Sequence, residues 1–293
     1  MNKRILILCE AIAPPAYSPR IITLVEWLQA NGWNCEIATE RDNDTVWNST
    51  ACKTHQMPTY RHLVADKLLG AKEKAFAKYI QQHTDVASFD LIFCGSYYYF
   101  PLQAAKYLAK KYQLPLVVDL RDITEQWGKL DYYTRRFTGI RYIDSIAKGL
   151  YTYINTLNRN RVLRNATAVT TVSPWHQHTL ALYNPNTHLI YNGYDANTFY
   201  PKTVISNAFD ITFIGKYYSH YQDCPKLLFM ALQSLIDTNQ ITLDDVEVHF
   251  YTNTVGQKAF AKLAKEYTLD NIVKVHDYIP RSEIVDRMHR SSI

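Results

Sequence analysis

Charged side chains are grouped directly after an apolar run, in the stretch LVVDLRD that begins at Leu116. Asp119, Arg121 and Asp122 stand where this run ends. Charged side chains are seldom buried unless they are paired or bind a ligand. Two interpretations follow: the three residues face a ligand, or they form an internal lock between aspartate and arginine. The position at a strand end favours the first interpretation, in which the three residues face a ligand.

The loop after the first apolar run, Glu10 to Arg20, is a second candidate site. It contains no glycine, whereas the phosphate-binding turn of dinucleotide enzymes requires several. A nicotinamide or flavin enzyme is therefore excluded. Ser18 and Pro19 predict a helix start, and Arg20 in its first turn can hold an anion or a sugar hydroxyl. A rigid proline-rich turn with a solvated arginine explains the same residues equally well.

Other positions give weaker signals. Trp127 is suited to stacking on a sugar ring or to packing in a core. Asn192 and Asp195 flank Gly193 after a predicted strand, where a simple turn explains them.

A second group of weak signals follows the first predicted strand of the second half. Gly215 would let the backbone approach a ligand closely, and Lys216 would neutralise a pyrophosphate. Lys226 is a further cation at the start of the next predicted helix.

Strand-like and helix-like segments alternate along the chain, which predicts an α/β fold with doubly wound parallel sheets. Residues 196–208 lack periodicity and form the predicted linker between domains at 1–195 and 209–293. The second half supplies only three strands and three helices, so we expect this domain to be incomplete.

Composition narrows the function classes. The chain has 293 residues, of which 47% are hydrophobic and 20% charged, as in globular proteins. Five cysteines without a CxxC pair favour a reducing compartment over disulfides or a zinc site. Glu10 cuts the first apolar run short of a signal peptide. We therefore expect a cytoplasmic protein.

The net charge of +5 is local, because residues 129–164 carry eight Lys/Arg and two Asp/Glu. That segment has a net charge of +6 and the rest of the chain −1, so nucleic-acid binding is excluded. Its cations and tyrosines suit peripheral contact with an anionic membrane at its inner face. The alternative is a solvated helix whose tyrosines pack inward.

The order of short motifs along the chain resembles that of a known family. These motifs are PPAYSPR, VVDLRDITEQW, TAVTTVSPW, LIYNGYDANTFYP, FDITFIGK and VHDYIPRSEI. Together they are similar to family 4 of the retaining glycosyltransferases, bacterial polysaccharide-type enzymes with a GT-B fold. In this sequence Ala16-Tyr17-Ser18 replaces the Gly-Gly of the family's first loop.

The resemblance implies a function and a distribution of roles. The enzyme would move a sugar from a nucleotide-diphosphate sugar to a glycan or lipid-linked acceptor, with that co-substrate but no metal cofactor. The first domain would bind the acceptor and the second the donor. Catalytic or acceptor-orienting roles would fall to Asp119, Arg121 and Asp122. The other implied site residues are Tyr17, Ser18, Arg20, Trp127, Asn192 and Asp195 for the acceptor, and Gly215, Lys216, Lys226 and Tyr278 for the donor.

The resemblance also implies a truncated donor domain, because the family's acidic pair spaced by seven residues would lie beyond residue 293. The alternative function is a catalytically inactive remnant or a module that binds a glycan or other acceptor.

Overall fold

The computed structural model describes residues 3–10, 19–40, 52–60, 70–97, 99–126, 139–194, 196–202, 204, 208–217 and 225–293. The chain divides into two compact units, Met1–Gly193 and Tyr194–Ile293. Within the described residues, no helix is both long enough and apolar enough to cross a bilayer.

A seven-stranded sheet forms the centre of the first unit, with the order β3-β2-β1-β4-β5-β6-β7 and every described pair parallel. Its strands are β1 (Arg4–Cys9), β2 (Asn34–Glu40), β3 (Lys53–Met57), β4 (Leu91–Ser96), β5 (Leu116–Leu120), β6 (Ala168–Thr171) and β7 (Thr187–Leu189). Its α-helices are α1 (Pro19–Ala30), α2 (Ala71–His83), α3 (Leu102–Tyr112), α4 (Arg141–Leu163) and α5 (Pro174–Ala181).

Helices cover both faces of this sheet. The continuous apolar run of β1 is buried on both sides, as expected for a central parallel strand. On one face, Ile7 packs with Val25 of α1. On the other, Leu8 joins the cluster that includes Phe76 of α2 and Leu108 of α3. The sheet is therefore doubly wound, as predicted.

The second unit contains a parallel three-stranded sheet of order β10-β9-β8. Its elements are β8 (Phe209–Ile214), α6 (Lys226–Asp237), β9 (Val246–Tyr251), α7 (Thr254–Glu266), β10 (Val273–His276) and α8 (Arg281–Arg290). Phe229, Phe250 and Phe260 form the centre of its core. The alternation of β9 places Val248 and Phe250 in that core and Glu247, His249 and Tyr251 on the other face.

The fold class is confirmed as mixed α/β with two parallel sheets, but three details differ from the sequence predictions. β3 was not predicted, because KTHQM has no apolar run; only His55 and Met57 are buried. The apolar run Leu189–Tyr191 predicts a strand, but the observed strand is Thr187–Leu189, while Ile190 and Tyr191 are exposed. The spacing of apolar residues over 60–82 predicts a helix with Leu63, Val64 and Leu68 facing inward. The structure describes Ala71–His83 of it as helical, and those three residues lie outside the described residues.

Candidate functional site

The carboxyl ends of β1, β4 and β5 lie side by side in the first unit. Between β1 and β4 the strand order reverses, and open α/β sheets bind ligands at such a point. A small cavity lies there, with space of about 10 Å³, enough for about one water molecule. Its lining is Cys9, Glu10, Arg20, Ile21, Gly95, Ser96, Tyr97, Asp119 and Arg121.

A glycine of β4 contacts the first turn of α1. A Cβ atom on Gly95, near the carboxyl end of β4, would lie 2.9 Å from Cδ1 of Ile21. Because Cδ1 is the far end of a flexible side chain, a larger residue at position 95 would require the Ile21 side chain to shift. Gly95 therefore lies against the turn of α1 that carries Arg20.

Arg20 joins the carboxyl ends of two strands, β5 and β7. Its Nε and Nη2 donate to the two carboxylate oxygens of Asp119 at 3.1 and 3.0 Å. Its Nη1 donates to the carbonyl oxygens of Ile190 and Tyr191 and, at 3.2 Å, to Oδ1 of Asn192. The structure thus brings together three predicted site residues, one from each of α1, β5 and the segment after β7.

Asp119 accepts three hydrogen bonds from the protein. Besides the two from Arg20, its Oδ1 accepts one from the hydroxyl of Thr170 at 2.6 Å. Its side chain is only 2% exposed. Asp119 therefore forms an aspartate–arginine lock, with Arg20 rather than the neighbouring Arg121 as its partner.

Glu10, at the end of β1, is a cavity residue that sequence reasoning did not select. Burial raises the pKa of its carboxyl, and the nearby negative charge of Glu40 raises it further. The Lys72 charge and a hydrogen bond from the Tyr97 backbone N–H act in the opposite direction without cancelling the rise in pKa. A carboxyl with a raised pKa in a cavity is a candidate for proton transfer. A glutamate at a strand end is the only sequence signal for it.

Arg121 and Asp122 point to different partners. The Arg121 guanidinium lies 4.4 Å from the centre of the Tyr97 ring, on the lining of the cavity. Asp122 accepts a hydrogen bond from the Gln126 side chain at 2.9 Å. The side-chain amide oxygen of Gln126, Oε1, in turn lies 2.8 Å from Nε2 of His176. Arg121 therefore belongs to the cavity, and Asp122 belongs to a neighbouring polar chain.

His176 is the second residue that sequence reasoning missed here. It lies in the first turn of α5, whose N-cap is Ser173. A serine directly before Pro174 predicts such a cap, and the Ser173 hydroxyl accepts from the His176 backbone N–H. Burial lowers the pKa of the imidazole, although the charges of Asp122 and Glu125 act to raise it. Its buried Nδ1 has no hydrogen-bond partner among the described residues.

The predicted donor residues lie at strand and helix ends of the second unit. Gly215 and Lys216 directly follow β8, Tyr278 follows β10, and Lys226 begins α6. The Gly215 backbone N–H donates to the Tyr251 carbonyl at 3.1 Å. Lys216, Lys226 and Tyr278 are exposed.

Asn253, which the sequence did not single out, positions the segment after β8. Its side chain accepts from the backbone N–H of Tyr217 at 3.1 Å and donates to the Tyr217 carbonyl at 3.2 Å. It also caps α7 by accepting from the Gly256 N–H. The remaining predicted site residues, Tyr17, Ser18, Trp127 and Asp195, lie outside the described residues.

Comparison with known proteins places the first unit in a family. The profile described as Glycosyltransferase Family 4 matches residues 19–198, more than half of the chain. The chain belongs to this family. The matched range contains Arg20, Asp119, Arg121 and His176. Among curated proteins, no sequence matches this family 4 chain.

Solved structures share the fold of the family 4 chain at low sequence identity. Anabaena HepE, solved with UDP and glucose, has a TM-score of 0.61 and 15% identity, covering 99% of this chain and 72% of HepE. The lipopolysaccharide outer core galactosyltransferase WaaB, solved without ligand, has a TM-score of 0.61 and 14% identity over 98% of this chain and 72% of WaaB. An Escherichia coli structure described as trehalose-6-phosphate with UDP-2-fluoro glucose has a TM-score of 0.65 and 10% identity. The match covers 99% of this chain and 77% of the E. coli chain. These likenesses establish a GT-B-like fold.

Proposed function

We propose that the chain is a retaining glycosyltransferase that moves a sugar from a nucleotide-diphosphate sugar to a glycan or lipid-linked acceptor in bacterial cell-surface polysaccharide synthesis. The observation that carries this proposal is the cavity at the strand-order reversal of the family 4 unit. Glu10 and Arg121 line it together with Asp119, whose charge is paired with Arg20. The structural neighbours HepE and the E. coli protein were solved with UDP or a UDP-sugar.

In the proposed reaction, the bond between the sugar C1 and the diphosphate oxygen breaks, and a bond from C1 to the acceptor oxygen forms. The acceptor hydroxyl gives its proton to the carboxylate of Glu10, and the diphosphate leaves with the electron pair of the broken bond. Glu10 is suited to accept that proton, because a carboxylate with a raised pKa is a stronger base than an ordinary carboxylate. Arg121 would supply positive charge at the same cavity.

We assign donor binding to the second unit. Gly215 would allow close approach of the diphosphate, Lys216 and Lys226 would supply cations, and Tyr278 would contact the base. Cations and backbone N–H groups can stabilise a leaving diphosphate without a metal, so no metal is part of the proposal.

Donor titration tests the assignment. We expect calorimetry on the full chain to detect UDP, GDP or one of their sugar conjugates, and Lys216→Gln to weaken that binding about tenfold, as loss of one charged contact does. If none of these nucleotides binds at millimolar concentration, the chain is not a glycosyltransferase. The alternative function, a non-catalytic module that binds a glycan, would then stand.

Glu10 has its own test. Glu10→Gln should lower kcat about 100-fold, the lower end for loss of a proton-transfer group. Glu26→Gln, an exposed change on α1 of the same unit, should leave kcat unchanged. Equal activity of both variants would remove Glu10 from the mechanism.

A lipid-linked acceptor requires access to a membrane surface. We propose that the chain acts in the cytoplasm, with the basic segment 129–164 in peripheral contact with the inner face of the membrane.

A further inference from the structure

The helix α4 packs against its own unit with a mainly polar side, apart from its last turn, where Val162 and Leu163 enter the core. Asp144, Arg159 and Asn160 are buried, with exposures of 4%, 1% and 4%. Arg159 donates to both carboxylate oxygens of Glu125 at 2.7 and 2.6 Å. Thr156 lies 3.3 Å from the Tyr99 hydroxyl. These contacts fix the rotation of the helix about its axis, because turning it would expose the buried pair of Arg159 and Glu125.

The opposite side of α4 is apolar and exposed. Its side chains recur at intervals of three and four residues, so they share one helical face. They are Ile143 (45% exposed), Ile146 (58%), Leu150 (58%), Tyr153 (62%), Ile154 (46%) and Leu157 (36%). We call these six residues the apolar stripe.

This orientation is the reverse of the usual one. An amphipathic helix on a globular domain normally turns its apolar face to the core. The α4 helix has 23 residues and is therefore ~35 Å long, with the stripe along much of that length. An apolar surface of this extent on a folded domain marks a site of interaction with another apolar body.

The positive charge around the apolar stripe indicates which partner binds to it. Residues 129–164 carry a net +6, as counted above. A second copy of the chain would bring two such segments together, and their charges would repel each other. A bilayer with anionic headgroups offers hydrocarbon to the stripe and opposite charge to the segment. Tyr142, 76% exposed, and Tyr153 are of the aromatic type that favours the boundary between hydrocarbon and water.

We infer that the apolar stripe of α4 is a membrane-docking surface that inserts into the headgroup region of an anionic bilayer. The helix would lie parallel to the membrane plane, with its polar side still bound to the rest of the first unit. This deepens the proposed function, since a lipid-linked acceptor would be met at that surface, and it identifies the side chains that make the contact.

Vesicle co-sedimentation of the full chain provides the test. The vesicles are phosphatidylcholine alone, or phosphatidylcholine with about one third phosphatidylglycerol. We expect binding to the anionic vesicles that weakens at high salt, because salt screens the charge contribution. The double variant Ile146→Gln/Leu150→Gln should reduce the partition coefficient at least tenfold. Glutamine is a good helix former, so circular dichroism should show an unchanged helix content.

A matched control replaces two exposed apolar side chains in the second unit. Leu227 and Met230 on α6 are 72% and 47% exposed, and Leu227→Gln/Met230→Gln should bind within twofold of the unchanged chain. Absence of binding to anionic vesicles at low salt overturns the inference, and so does equal binding by the Ile146/Leu150 variant. A dimer in light scattering that this variant dissociates would assign the stripe to a second copy instead.

No donor is present in this assay, so its result is independent of the proposed enzymatic function. A chain that binds vesicles but no nucleotide would contradict the proposed function and leave the docking surface in place.

Discussion

The lock between Arg20 and Asp119 makes the sharpest prediction, because ligand binding and structural support require different outcomes. The perturbation is Asp119→Asn, which keeps the side-chain shape and removes the charge. One carboxylate oxygen that accepts from Arg20 becomes an amide N–H₂ group, so a donor would face a donor. The side chain of Arg20 is only 18% exposed, and its guanidinium would lose its partner charge.

The expected cost follows from this burial. Removing one partner of a buried ion pair costs about 3–5 kcal/mol. Arg20 keeps its bonds to Ile190, Tyr191 and Asn192, so the lower value, about 3 kcal/mol, applies. With a urea dependence of about 3 kcal/mol per molar, the midpoint of unfolding should fall by about 1 M.

Tryptophan fluorescence in urea is a suitable assay, since all five tryptophans, Trp27, Trp33, Trp47, Trp127 and Trp175, lie within the first unit. The matched control is Asp122→Asn, whose carboxylate accepts from the side chain of Gln126 in an exposed hydrogen bond. It should change the stability by less than about 0.5 kcal/mol. A shift for Asp119→Asn no larger than that of the control would refute the lock and return Asp119 to the role of a ligand-binding residue.

Three further predictions concern other parts of the chain. Burial, and then neighbouring positive charge, lowers the pKa of His276, so its ring resonances should titrate below about 6.5. Because the folded state favours the neutral ring, its stability should decline as the pH falls through that lowered pKa. A titration at or above 6.5 would contradict this prediction. A Cβ on Gly256 would lie 2.7 Å from two neighbouring atoms, whereas a Cβ on Gly149 would have nothing within 4 Å. Gly256→Ala should therefore lower the free energy of unfolding by about 1–3 kcal/mol, and Gly149→Ala should not lower it; thermal unfolding measures both. Burial raises the pKa of the Cys9 thiol to about 12, so Ellman's reagent should modify the half-buried Cys52 well before Cys9; equal rates would argue against this burial.

Local features were predictable from the sequence, since the interacting residues are neighbours in the chain. The Ser173 cap depends on a backbone N–H three residues away. The run RILILC predicts β1 because its apolar side chains alone require burial on both faces. The same reasoning misses β3, whose KTHQM sequence is held by pairing with β2 rather than by its own pattern.

Tertiary pairing explains why the candidate site was only partly predictable. Arg20 and Asp119 were both selected as site residues, but nothing in the sequence indicates that they bond across 99 positions. Glu10 was missed because its raised pKa depends on residues from other parts of the chain, such as Glu40 and Tyr97. A single glutamate after a strand has no spacing pattern of its own.

The α4 helix shows a related limit of periodicity. The spacing of its apolar residues predicts a helix with one apolar face, but it does not specify whether that face turns inward. The alternative in which its tyrosines pack inward is wrong for Tyr142 and Tyr153, which are 76% and 62% exposed. The direction is set by Arg159, which binds Glu125 on the opposite side.

The two carboxyl groups at the cavity, those of Asp119 and Glu10, differ in their roles because their surroundings differ. Asp119 accepts three hydrogen bonds from Arg20 and Thr170, so its charge is already stabilised by the protein's own donors. Glu10 has a raised pKa because burial and the charge of Glu40 outweigh its favourable contacts. A group whose charged form is poorly stabilised gains most when a ligand supplies a hydroxyl or a cation. Any chemistry at this cavity should therefore depend on Glu10, while Asp119 maintains the position of Arg20 on the strand ends beside it.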